Sequence, residues 1–431
     1  MNSEMIACLA ICILMITGYI SGKVSMGAVA MLGVALFRLT NCISAENAVS
    51  YFGNSNAIIV VCMFILSAGL TRTQMIHNLT SAINRAAKGS IRKVFFGYAM
   101  LVLILDQFIG WGIAEFSIVA PLLGIAADQL GVRRSKVMYP LVTVCIVGMG
   151  WIPIGPGLAN ISFFNGMIES FSITGYKAEL FDLMLVRLAG VILTVIYSVF
   201  VGLRISPDEP SSSITVAESS TGGEAEKLPV FQEICGYVIF FGTCVALIIA
   251  AVTGLYDGYI ACVVGAALMV FTGVLSGKQA LNAFPLSFYC IFTGALAMGG
   301  ALSNTGAADL IGQIVADVIG SGQSTFIVYL VFFLLPFILT QFMMNAAVLY
   351  SFAPVILSSC KVMALNPVGP LVLLYTACTT AFMTPMACPP MTAAMTAGGY
   401  DFKSIFRQSI GPSIIVSACG IISACILFPL Y

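Results

Sequence analysis

The stretch Ile338–Pro354, ILTQFMMNAAVLYSFAP, decides how the rest of the chain is read. An apolar arm runs into Thr340, Gln341 and Asn345, and a second apolar arm leaves toward Pro354, so polar groups sit at the tip between two half-length segments. Backbone of that kind is tolerated at membrane depth only where it lines a cavity inside the protein. The stretch Ile104–Pro121, ILDQFIGWGIAEFSIVAP, has the same layout: Gln107-Phe108 matches Gln341-Phe342, and Pro121 matches Pro354 with one extra residue between. The chain is therefore read as written twice, with its function at the two tips.

Composition sets the class. Of 431 residues, 60% are hydrophobic and 8% charged, with a mean hydropathy of +1.04. A water-soluble domain carries roughly 25% charged residues, so the expectation is an all-α polytopic membrane protein. The formal net charge is zero, and no basic patch with interleaved aromatics suggests nucleic acid as a partner. The fourteen cysteines are scattered singly and the chain holds one histidine, so no metal or redox centre is expected and the thiols read as small apolar side chains. The start, MNSEMIACLA, carries Glu4 and no basic residue before its apolar run, which reads as a retained span and not a cleaved signal.

Spanning helices need about 20 apolar residues. Residues 1–205 form a first repeat of five spans, with a hairpin near 94–127 and a span near 137–168 interrupted at Pro153–Asn160, PIGPGLAN. A basic, amphipathic segment over Thr71–Lys93, holding Arg72, His77, Arg85, Lys88, Arg92 and Lys93, is expected along the membrane surface. The Asn78–Thr80 sequon falls in it, on the expected inner side. Residues 206–229 are polar and rich in Ser, Pro, Gly and Glu, a flexible linker on the cytoplasmic side. Residues 230–431 repeat the order, with five spans, a hairpin near 326–359 and a span near 368–397 broken at Thr384–Pro390, TPMACPP. Gly69-Leu70 with Thr73 matches Ala301-Leu302 with Thr305, Pro153 matches Pro385, and Gly175-Tyr176 matches Gly399-Tyr400.

Basic residues set the orientation. With both termini outside and each pair of arms entering and leaving on one side, fourteen Lys and Arg residues fall inside and only Arg38, Lys177, Arg187 and Lys361 fall outside. Five spans plus one re-entrant hairpin per repeat is an odd number of crossings, so the second repeat is expected upside down relative to the first. Inverted repeats of this kind build many secondary transporters.

Two hairpin tips and two broken helices bring helix ends to the bilayer middle. Helix N-termini suit an anionic substrate, and freed carbonyls with Asn, Ser or Thr oxygens suit sodium. Asn345, with Thr340 and Gln341, is the candidate cation or substrate ligand of the second half. The first tip holds Asp106, Gln107, Trp111, Gly112 and Glu115. A carboxylate at that depth costs roughly 2.5 to 3.5 kcal/mol on insertion scales, so Asp106 and Glu115 are candidate coupling acids, carrying a proton or facing a sodium ion. No Ser/His/Asp or Cys/His set assembles around His77, so no catalytic residue is assigned and the chain is not read as an enzyme.

These residues resemble a family. Asn56–Met75, the hairpin Gln341–Ala347 followed by Pro354, the break Thr384–Pro390 and the close Gly398-Gly399-Tyr400-Asp401-Phe402 are together similar to the divalent-anion:sodium symporters and their relatives in the ion transporter superfamily. The resemblance covers nearly the whole chain and implies homodimers that move by an elevator motion. Those symporters carry Ser-Asn-Thr at each tip, where it binds carboxylates of the substrate and helps to hold sodium. Here the second tip reads Met344-Asn345-Ala346 and the first Trp111-Gly112-Ile113, so only the asparagine of the second tip is kept. Gly155 and Asn160 of the first break, and Thr384, Ala387 and Cys388 of the second, are further candidates for carbonyl or side-chain ligands.

The expected function is secondary active transport of a small, carboxylate-like organic anion across a prokaryotic cytoplasmic membrane, coupled to sodium or protons, by a homodimer. Sodium ions are the one possible cofactor. The competing reading is a sodium/proton or metalloid-anion exchanger in which Asp106 and Glu115 titrate; a channel or a membrane-embedded enzyme is disfavoured.

Overall fold

In this computed structural model every regular element is a helix among the described residues, which are 3–21, 23–74, 83, 89–110, 112–209, 228–253, 257–284, 286–319, 324–342, 344–384 and 387–429. Most of the basic segment expected over 71–93, including His77 and the sequon, lies outside the described residues. So do 210–227 of the linker, Trp111, Pro385 and Met386.

The first half runs α1 Ser3–Ser21, α2 Met26–Leu39, α3 Ala45–Ser50 and α4 Ser55–Thr71. Then come the hairpin α5 Ile91–Asp106 and α6 Ile113–Gln129, the half-helices α7 Met138–Gly148 and α8 Pro156–Ser170, and α9 Asp182–Tyr197, which continues through a π turn to Ile205. The second half gives α10 Val230–Thr253, α11 Gly258–Phe271, α12 Gly277–Ala283, α13 Leu286–Thr305 and α14 Ala307–Ile319. It continues with the hairpin α15 Thr325–Leu339 and α16 Asn345–Val362, the half-helices α17 Val368–Cys378 and α18 Pro389–Gly398, and α19 Phe402–Leu427. Among the described residues four helices are long and apolar enough to cross a bilayer, over Asp182–Ile205, Val230–Leu247, Asn345–Val362 and Phe402–Leu427. Apolar side chains are exposed along them: on α10 Phe231, Ile234, Val238, Phe241, Val245 and Ile249 form a stripe at helical spacing. In water such a stripe is a liability, whereas in lipid it is the outer face of a span.

The halves interlock. α2 packs on α13, and its counterpart α11 packs on α4; α9 and α19 pack on each other. Each broken helix sends its pieces to different cores. α7 lies with its own hairpin and against α18 from the other half, in a core that includes Phe95, Phe116, Tyr139, Phe382 and Tyr400. α8 leaves that core to pack on α4 and α13 beside the second hairpin, where Phe163 meets Tyr350 edge to face at 5.1 Å. A connection ties the halves: the Tyr139 N–H donates to the Tyr400 hydroxyl (2.9 Å), which donates to the Ser135 carbonyl (2.6 Å).

Two expectations need correction. The first break was placed at Pro153–Asn160, yet the non-helical backbone covers 149–155; Pro156 opens α8 and Asn160 lies one turn inside it. Proline is preorganised for the first helical position and lacks only an N–H that would have no partner there, so Pro156 marks a helix start. The second break likewise begins earlier than Thr384, because α17 ends at Cys378, and Pro389 starts α18.

Candidate functional site

In each half a glutamine just past the first hairpin helix is bonded to the neighbouring break. Gln341 Nε2 donates to Phe337 O (3.0 Å) within its own helix and to Thr380 O (2.9 Å) across the gap, and its Oε1 accepts from Met383 N (3.0 Å). Gln107 Nε2 donates to Leu103 O (2.8 Å) and to Gly148 O (2.9 Å), and its Oε1 accepts from Ile152 N (3.1 Å). The side chain thus supplies partners to backbone that leaving a helix has freed, and fixes each tip against its break.

At the second tip Thr340 closes α15. Its hydroxyl lies 3.0 Å from Asn345 Oδ1 and 3.2 Å from Cys378 O, both acceptors, so it links the tip to the end of α17. Asn345 is half-buried and opens α16. The Thr384 hydroxyl donates to the Gln341 carbonyl. Ala387 and Cys388 are buried at the foot of α18; the Ala387 N–H donates to Thr384 O (3.2 Å) and Cys388 Sγ to Ala381 O (3.1 Å). Thr340, Gln341, Asn345 and Thr384 are therefore brought together around one junction.

At the first tip glycine allows close approach. Gly112 (φ +65°) precedes α6, and a Cβ there would lie 3.0 Å from Pro390 Cγ and 3.1 Å from Met149 Sδ, so this tip also touches the other half's break. Gly155 (φ +51°) sits directly against the Gln107 carbonyl, with no room for a side chain. Asn160 Nδ2 and the Tyr375 hydroxyl both border Gly150 of the first break, each 3.0 Å from where a Cβ would be.

Asp106 ends α5 and Glu115 lies in the first turn of α6; both are 0% exposed. Asp106 Oδ1 accepts from Cys145 Sγ (3.6 Å), and Cys145 Sγ also reaches Gly112 O (3.3 Å). Asp106 Oδ2 has no hydrogen-bond partner among the described residues. Glu115 sits at a helix N-terminus, where negative charge is favoured.

Arg187 corrects the charge assignment. The sequence reading puts it outside the membrane, yet it is 3% exposed and sits at the breaks. Its Nη1 donates to Met149 O (2.7 Å), its Nη2 to Val147 O and Thr379 Oγ1 (both 2.8 Å), and its guanidinium lies 5.0 Å from the centre of the Tyr375 ring. Arg187, Tyr375 and Thr379 were not singled out from the sequence. The signal for Arg187 was present: an arginine inside the apolar run DLMLVRLAGVILTVIY marks a buried pathway or partner by default.

Against this geometry, the model of the Citrate transporter family (CitMHS) matches residues 11–380. The chain belongs to the citrate transporter family. This agrees with the resemblance to the ion transporter superfamily. The uncharacterized transporter YfbS of Escherichia coli is 25% identical over 187 residues, 43% of this chain and 30% of that one. The uncharacterized transporter sll0640 of Synechocystis is 24% identical over 153 residues, 36% of this chain and 25% of that one. The matched regions therefore span under a third of either relative's length. The crystal structure of the Alcanivorax borkumensis YdaH transporter, described as having an unusual topology, superposes with a TM-score of 0.64 at 12% identity, covering 99% of this chain and 98% of that one. The fold is thus that of the YdaH structure, and the chain is a multi-pass membrane protein of the citrate transporter family.

Proposed function

We propose that this chain is a secondary active transporter of a small carboxylate-like organic anion, coupled to sodium or protons and working by elevator-type alternating access. The observation that carries the reading is the pair of glutamine links, each fixing a hairpin tip to the break in its own half, together with the approach of the first tip at Gly112 to Pro390 in the first turn of α18 from the other half. Convergence of this kind offers helix N-termini to an anion and carbonyls to a cation. Substrate and cation ligands are assigned to Asn345, Thr340, Gln341, Thr384, Ala387, Cys388 and Asn160, with Gly112 and Gly155 supplying backbone. The two repeats, 1–205 and 230–431, are taken as inverted, with re-entrant hairpins, outside termini and a homodimeric assembly in the cytoplasmic membrane.

A second reading, ion exchange through titration of Asp106 and Glu115, is favoured by the burial of both carboxyls at the first tip. Uptake into proteoliposomes separates the two. Citrate, succinate, sulfate and amino acids are offered under an inward sodium gradient, an inward proton gradient, or neither. Anion accumulation under either gradient supports symport; gradient-driven sodium/proton exchange without anion uptake supports the second reading and defeats the first.

A further inference from the structure

Arg187 is the charged group for which neither tip gives a use. The C-terminal end of a half-helix carries partial negative charge and carbonyls without helical partners, and in transporters built from broken helices such ends coordinate the coupling sodium or proton. At the end of α7 these acceptors are already taken. Val147 O and Met149 O receive the Arg187 guanidinium, Gly148 O receives Gln107 Nε2, and the Tyr375 hydroxyl reaches Met149 O at 3.2 Å. Nη2, which bonds Val147 O, also bonds Thr379 Oγ1, at the end of α17 from the second half. No carboxylate lies within ion-pair distance of Arg187 among the described residues, so its charge is directed at two helix ends, one from each half. The matching span α19 carries its basic residues, Lys403 and Arg407, only in its first two turns, so nothing there repeats the arrangement.

We propose that Arg187 is a resident cation, holding the junction between the two half-helix C-termini where a coupling sodium would otherwise bind, so that this junction binds no metal ion. The consequence for transport rests on the transporter reading above; the chemistry of the junction does not.

Chemical rescue tests it on the purified chain. Thermal unfolding of wild type and Arg187→Ala is titrated with millimolar guanidinium chloride, sodium chloride and, as a neutral isostere, urea, at constant ionic strength. The expected result is a saturable rise in Tm for Arg187→Ala with guanidinium and not with urea, and no such rise for wild type. In proteoliposomes Arg187→Ala is expected to lose citrate uptake by about tenfold or more, as the loss of charge-assisted bonds predicts, and to regain a several-fold share with guanidinium. A folded Arg187→Ala that ignores guanidinium in both assays overturns the proposal. Should Arg187→Ala fail to fold, Arg187→Lys is expected to keep uptake and Arg187→Gln to lose it, and equal behaviour of the two overturns the proposal. If wild type moves none of the anions, the transporter reading fails while the thermal titration still decides the role of Arg187.

Discussion

Gln107 and Gln341 make the same three hydrogen bonds in the two halves of the chain: one to the carbonyl four residues back, one to a carbonyl at the end of the neighbouring half-helix, and one from a backbone N–H inside the break. Both are buried, so each amide satisfies three backbone groups that have no water to turn to. The pairing also fixes geometry, since these bonds hold each hairpin tip against its break.

Gln341→Glu and Gln107→Glu separate this role from simple packing. A carboxylate still accepts from Met383 N or Ile152 N but donates nothing to Thr380 O or Gly148 O, and a buried group left without a partner costs about 1–3 kcal/mol. Each variant is expected to unfold at lower temperature than the matching Gln→Met, which is similar in size and carries no charge. Thermal unfolding in detergent reads the order.

Gly155→Ala tests the close approach at the first tip. The residue holds φ +51°, ψ −118°, open in practice only to glycine, and an added methyl runs into the Gln107 carbonyl. Backbone strain of that kind costs of order 1–3 kcal/mol before the clash is counted. Low yield of folded protein is expected from Gly155→Ala, whereas Gly175→Ala, also at positive φ but with open space around it, should be milder. Size-exclusion recovery measures the difference.

Asp106→Asn and Glu115→Gln address coupling. If the buried carboxyls carry the proton, wild-type accumulation rises as the outer pH falls below the inner, and either variant loses that rise while keeping downhill counterflow. The pH profile of uptake checks it; an unchanged profile in both variants removes them from the coupling step.

Much of this site was legible in the sequence because polar residues inside apolar runs have few explanations. Gln107, Gln341, Thr340 and Asn345 stood out that way, and each lies at a tip. The break limits were misread because Pro156 and Pro389, taken as part of the interruptions, begin helices; the signal for the first gap was the glycine-rich GMGWIPIG just before. Asn160 lies one turn into α8, with its amide facing Gly150 of the break. Arg187 was missed for a different reason. Charge counting assigns each basic residue to a loop, and it gives no place to one whose partners are carbonyls and a threonine from distant helices. Partners of that kind are set by tertiary packing and leave no local pattern.

The most direct measurement is concentrative uptake of citrate and related carboxylates by proteoliposomes holding equal amounts of folded wild type and Asn345→Ala. Wild type is expected to accumulate at least one of these anions above the outside concentration when a sodium or proton gradient is imposed, and Asn345→Ala to show none, with its Tm close to wild type. Equal accumulation by the two proteins would contradict the placement of the site at the second tip, and absence of gradient-driven accumulation by wild type would contradict coupled transport itself.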